Sequence, residues 1–165
     1  MAQRQSISSR WLAISLVVTT IAYPQASSAQ AATSSLAVSM KPYRGPAAYV
    51  VAYVVGRTGQ YVSTVHVAGN RAKYQADLSR WYRLMQRSGR GIDGSTGASV
   101  GSGRAFSTPV RIPTKMLNAG YVLRVESAVE DGRYYPNEAS IPLTTANLGK
   151  PVAGTGYVNR VIIRK

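Results

Sequence analysis

His66 is the only histidine of the chain, and there is no cysteine. A multi-histidine or thiolate metal site and a disulfide are therefore excluded. His66 stands in an alternating, strand-like stretch rather than beside a serine in a nucleophile motif, so it reads as a partly buried strand residue and not as a catalytic base. The acids Glu126 and Glu130 form no pair or cluster of the glycosidase or two-metal kind. The glycines at 89, 91, 94 and 97 lack the Gly-Lys-Ser/Thr ending of a phosphate-binding loop. What remains is a run of Gly, Ser and Thr from Ser88 to Gly103, too poor in apolar residues to pack as an element. A loop of that length inside a compact domain is the place to look for chemistry. Arg80, Arg83, Arg87 and Arg90 lead into it as a basic stripe, suited to pairing with a phosphate or an acidic partner, or to forming a solvated helix face.

The elements that must position this loop are mostly strands. Leu36, Val38 and Met40 alternate with Ala37, Ser39 and Lys41 up to Pro42, and residues Ala32 to Ser35 before them read as a short flexible leader. Ala47 to Val55 is a continuous apolar and aromatic run of buried-strand character. Gly56-Arg57-Thr58-Gly59 turns it into a second strand, Tyr61 to Ala68, as a β-hairpin. One helix follows from Arg71 to about Arg87, with Tyr74, Leu78, Trp81, Tyr82 and Met85 on one face. Trp81 and Tyr82 are core residues on this reading, the other use of such rings being a cofactor platform. Four further strands are expected at Ala105 to Ile112, Tyr121 to Val129, Glu138 to Leu143 and Tyr157 to Ile163, with turns at Asn118-Ala119-Gly120 and Glu130-Asp131-Gly132. Short strands at such spacing imply a mainly β fold, an antiparallel sandwich interrupted by one amphipathic helix and a long Gly/Ser-rich loop.

The amino terminus has the layout of a secretory signal: Arg4 and Arg10, an apolar run from Trp11 to Tyr23, Pro24, then small residues. The run is shorter than the roughly 20 residues of a membrane-crossing helix. Ala29-Gln30-Ala31 suits cleavage before Ala32, with Ser27-Ser28-Ala29 as the fallback, so residues 1–31 are a cleavable export signal and 32–165 a single domain. The formal charge of +14 becomes +12 once Arg4 and Arg10 are removed. Such a surface favours anionic partners. Export and the lack of a groove-reading motif argue against nucleic acid.

Tyr-Val-Val-Ala-Tyr-Val from Tyr49, Gly59-Gln60-Tyr61-Val62, Lys73-Tyr74, Asp77-Leu78, Arg80-Trp81-Tyr82-Arg83 and Gly120-Tyr121 to Glu126 stand in an order similar to the periplasmic family known as domain of unknown function 2271. The resemblance covers roughly Leu36 to Lys165. It implies an immunoglobulin-like domain akin to that of the flagellar hook-capping protein, encoded near a bacterial FMN transferase and membrane PepSY proteins, and hence flavin-based electron transfer outside the cytoplasm. Asp93-Gly94-Ser95-Thr96-Gly97-Ala98-Ser99 resembles the motif recognised by that transferase. There the final hydroxyl residue takes FMN through a phosphoester, with FAD as donor and magnesium as the metal.

Carried onto this chain, the acceptor is Ser99, a serine where the motif usually has threonine, with Thr96 and Ser95 next in line. Small Gly97 and Ala98 let an enzyme approach the backbone, and Asp93 orients the loop or a metal. The expected protein is a periplasmic carrier of covalent FMN, served by an FMN transferase and a PepSY-type membrane partner. The alternative is a cofactor-free sandwich acting as an adaptor for an anionic surface or a membrane-associated protein.

Overall fold

The computed structural model describes residues 31–165, with side chains from Ser34 onward. The export segment expected over residues 1–31 lies outside the described residues but for Ala31. The first strand, β1 (Ala31–Met40), begins at that residue. It is followed by β2 (Tyr49–Val55), β3 (Tyr61–Ala68), the one-turn α1 (Ala72–Gln75), α2 (Ser79–Arg87), β4 (Ser95–Gly97), β5 (Ala105–Pro113), β6 (Val122–Ala128), β7 (Tyr134–Pro142), β8 (Val152–Ala153) and β9 (Val158–Arg164). One sheet has the order β5-β1-β9-β8 and the other β4-β3-β2-β6-β7. The mainly β sandwich expected from the strand spacing is thus the fold. Every strand pairing is antiparallel save one, in which β4 runs parallel to β3.

The unbroken apolar run of β2 has a simple cause: all its residues are buried, because both faces of this central strand are covered. Val50, Ala52 and Val54 point between the sheets, where they meet Leu36, Val38, Leu123, Val125, Val161 and Ile163. Tyr49, Val51, Tyr53 and Val55 point the other way, onto Leu78, Trp81 and Met85. The sandwich therefore has a second apolar layer on one side, closed by the helical segment. Trp81 is fully buried there and is a core residue.

Three expectations need correction. Residues Ala32 to Ser35 are not a loose leader: their backbone pairs with Ile112 to Pro109 of β5, and Ser34 is buried. Ladder bonds come from the backbone, so a polar Thr-Ser-Ser run suffices for an antiparallel pairing. The helix expected from Arg71 to Arg87 is interrupted between Gln75 and Ser79. Leu78, the residue before α2, has ψ 60° and offers no side-chain cap. The sheet supplies the missing acceptors: Arg80 N–H donates to Tyr134 Oη (3.0 Å) and Trp81 N–H to Glu126 Oε2 (3.2 Å). A helix can restart at an uncapped residue when its orphan N–H groups find partners elsewhere in the fold. Finally, the Ser88 to Gly103 stretch is not loop throughout, since it contains β4 and, at Val100, a bridge to Ala48.

Two buried carboxylates tie the layers together. Glu126, on β6, accepts Tyr53 O–H (2.6 Å) and Tyr134 O–H (2.7 Å) besides the Trp81 amide, joining sheet to helix. Burial raises its pKa, opposed by these three hydrogen bonds. Desolvation together with the Glu126 partner pushes Tyr134 up to about 12. Glu138, on β7, accepts Ser127 O–H and the amides of Gly156 (2.7 Å) and Val158 (3.0 Å), joining one sheet to the approach of β9 in the other. Buried acids are tolerated only when their oxygens are saturated in this way.

Candidate functional site

The segment from Asp93 to Val100 is held at both ends. At the first, the Asp93 carboxylate accepts Thr64 N–H (2.7 Å) and Tyr61 O–H (3.3 Å), fastening the segment to β3. Gly94 follows because nothing larger fits: a Cβ there would stand 2.6 Å from the carbonyl oxygens of Thr64 and Val65. β4 then pairs His66 with Ser95, Val67 with Thr96 and Ala68 with Gly97. Gly69 N–H donates to Gly97 O (2.8 Å), closing this first clamp.

At the second end, Val100 and Ala48 exchange backbone bonds of 2.9 and 2.8 Å. Tyr43 O–H donates to Val100 O (2.9 Å), and Ser102 Oγ accepts Tyr43 N–H (2.7 Å). Ala98 and Ser99 are the span between the clamps.

The three candidate hydroxyls differ. Ser95 Oγ is engaged with His66 Nδ1 at 2.7 Å. Burial lowers the His66 pKa, and a hydrogen bond with the Ser95 backbone opposes the shift. His66 is thus held largely as neutral imidazole near pH 7. Thr96 is exposed, and Ser99 is half-buried. No hydrogen bond within the described residues engages the Ser99 hydroxyl. Ser99 lines a groove of about 550 Å³ between the free edges of β4 and β5, shared with His66, Thr96, Arg104 and Phe106. The His66 and Phe106 rings lie 5.1 Å apart along its wall.

Asp93, Gly94, Thr96, Gly97, Ala98 and Ser99 are therefore drawn into one clamped structure, with Asp93 as an anchor for β3. The basic stripe is not drawn to the same place. Arg80 donates to Pro136 O (3.3 Å) and Asn137 Oδ1 (2.6 Å), and Arg83 to Ser79 O within its own helix (3.1 Å). Arg87 is exposed on α2. Arg90 donates to Val62 O (2.9 Å) and borders a different depression, beside Asp93, Gly94 and Ser95. The cation that does line the Ser99 groove is Arg104, which sequence reasoning passed over. Its only signal was its position at the start of a strand whose pairing is long-range.

This arrangement can hold a nucleophile in the open. A serine hydroxyl free of internal bonds, on a short span between fixed points, meets an external enzyme without local unfolding, and a neighbouring guanidinium suits a phosphate group. Among the described residues no group of side chains is placed to hold a metal ion, and no helix is long and apolar enough to cross a membrane.

No curated protein and no solved structure matches the chain. A family model described as "Predicted periplasmic protein (DUF2271)" matches residues 31–160, spanning both sheets, the helices and the clamped segment. The chain belongs to that periplasmic family.

Proposed function

We propose that the protein is a periplasmic electron carrier with FMN covalently attached at Ser99. The observation that carries this reading is the contrast among the hydroxyls of the clamped segment. Ser95 is committed to His66 and Thr96 sits within the β4 ladder, whereas Ser99, the closing hydroxyl of the motif, is unengaged on the span between the clamps and lines a groove of about 550 Å³. The attachment is a phosphoryl transfer. Ser99 Oγ attacks the FMN phosphorus of FAD, the pyrophosphate bond to AMP breaks, AMP departs, and the hydroxyl proton passes to a base of the transferase, which also holds the magnesium.

The residues present fit the group. Arg104 would supply a cation to the new phosphodiester, and His66 and Phe106 would offer a partly apolar wall to the flavin ring. Bound flavin supplies the redox chemistry. The two clamps would hold the backbone on either side of the linkage in place. A membrane-bound PepSY-type redox protein is the partner class this reading calls for.

Coexpression with an active FMN transferase, followed by intact-mass analysis, tests the proposal. The expected product is heavier than the bare chain by one FMN less one water, and Ser99→Ala returns the bare mass. A bare mass for the wild type would leave a cofactor-free sandwich, and an unchanged adduct in Ser99→Ala would move the linkage to Thr96.

A further inference from the structure

The outer face of the β5-β1-β9-β8 sheet has no counterpart to the helix that covers the other sheet. Alternation along β1, β5 and β9 turns Leu36, Val38, Val110, Ile112, Val161 and Ile163 inward, where they are buried. The register then stacks Ser39 beside Ala105 and Arg160, Ala37 beside Ser107 and Ile162, and Ser35 beside Pro109 and Arg164 on the outside. Ala37, Ala105 and Ile162 join neither apolar layer of the molecule. Ala105 is exposed, and Ala37 and Ile162 are half-buried.

The charge on this face is of one sign. None of the six acids falls in β1, β5, β8 or β9; none occurs before Asp77 or after Glu138. The exposed charged side chains are Arg111, Arg160 and Arg164, with Lys165 beyond. Arg160 and Arg164 stand about 13 Å apart along β9, and Arg111, across β1, about 12 Å from Arg164 and about 22 Å from Arg160. Between them lie Ser35, Ala37, Ser39, Ser107, Pro109 and Ile162. A shallow depression of about 140 Å³ there is lined in part by Ala37, Ser39, Ile162, Arg160 and Arg164. Ser39 Oγ is buried and has no hydrogen-bond partner.

We infer that this sheet face docks on an anionic phospholipid surface. Three arginines stand exposed on this face, and none of the six acids lies on its strands. Protein interfaces are anchored by aromatic side chains seated in pockets, and the aromatic that borders this depression, Phe106, is packed back against the inter-sheet core. A plane of phosphate headgroups needs no such anchor: it meets dispersed cations by charge complementarity. Pairing with a second copy would set arginine rows against each other. Docking by this face leaves α2 and the covered sheet away from the bilayer, with the β4–β5 groove at the side, independent of whether Ser99 is modified.

The test uses protein purified from the periplasm and vesicles of phosphatidylcholine with or without phosphatidylglycerol, read by co-sedimentation. Binding is expected only with phosphatidylglycerol and is expected to fall steeply with added salt. Arg160→Gln combined with Arg164→Gln should weaken it about 30-fold. Arg57→Gln with Arg71→Gln, removing two exposed cations from the layer of the other sheet, should leave it within about twofold. Circular dichroism of each variant establishes that the sandwich is intact. Equal binding to phosphatidylcholine, equal loss in the two double variants, or binding to soluble poly-glutamate with the same arginine dependence but none to vesicles would overturn the inference, the last in favour of an acidic protein.

Discussion

The two sheets bury their inner faces against one another in the same way, but their outer faces differ. One carries Tyr49, Val51, Tyr53 and Val55 outward and is closed by α2 through Leu78, Trp81 and Met85. The other turns Ser35, Ala37, Ser39 and Ser107 outward, with arginines in the same rows. An apolar outer row calls for a cover, and placing that cover takes polar groups: Glu126 and Tyr134 receive the first amides of α2. A row of small polar residues needs none. The candidate site lies where the free edges of the two layers meet, in the groove between β4 and β5. There the backbone is fixed by clamps while Ser99 contributes little buried area. Stability should therefore be concentrated on the covered side, and chemistry on the edge.

The largest effect expected is from Trp81→Ala, which removes a fully buried indole from the covered layer. It should cost about 3–5 kcal/mol in urea unfolding, while Ile162→Ala on the bare face should cost about 1 kcal/mol or less. Comparable losses would erase the distinction between the faces.

Next in size is Glu126→Ala, which strands the Tyr53 and Tyr134 hydroxyls and the Trp81 amide as buried donors. Each stranded group costs about 1–3 kcal/mol unless water enters, so a loss of at least about 2 kcal/mol is expected. A neutral outcome would mean that α2 docks by apolar contact alone.

A smaller effect is expected from pH. His66 has its pKa lowered from 6.5, chiefly by burial, so the folded chain binds fewer protons than the unfolded chain between that lowered value and 6.5. The His66 contribution is therefore complete above 6.5 and is lost as pH falls through the window. Glu126 slopes the other way: its raised pKa favours the fold most below 4.5, and this contribution is lost as pH rises through the raised value. The difference in stability between wild type and His66→Gln isolates the histidine, and should grow with pH toward neutrality and then level off. A difference independent of pH would show that His66 is not held neutral. The smallest effect is Ser99→Ala, expected to change stability by no more than about 0.5 kcal/mol.

Much of this architecture could be read from residue order. The continuous Tyr49 to Val55 run announced a strand covered on both faces, and the spacing of Leu78, Trp81 and Met85 announced the face that covers it. What escaped was set by partners far along the chain. The break before α2 depends on an acid on β6, and the burial of Glu138 depends on amides at Gly156 and Val158. Neither acid has a local signature. In the clamped segment, the Asp93 to Ser99 motif was visible, but its strand pairing was not, because a parallel ladder to β3 is made by backbone groups that composition does not reveal. For the same reason Arg80, Arg83, Arg87 and Arg90, near the motif in sequence, do not line the Ser99 groove, while Arg104 does.

The central claim is that the free hydroxyl on the clamped span is the point of attachment. The most direct measurement is the intact mass of periplasmic protein coexpressed with an FMN transferase, with peptide mapping of any adduct. The account predicts one FMN less one water on the peptide containing Ser99, absent from Ser99→Ala while that variant unfolds at the same urea concentration as wild type. A bare wild-type mass, or an adduct that survives in Ser99→Ala, would contradict it.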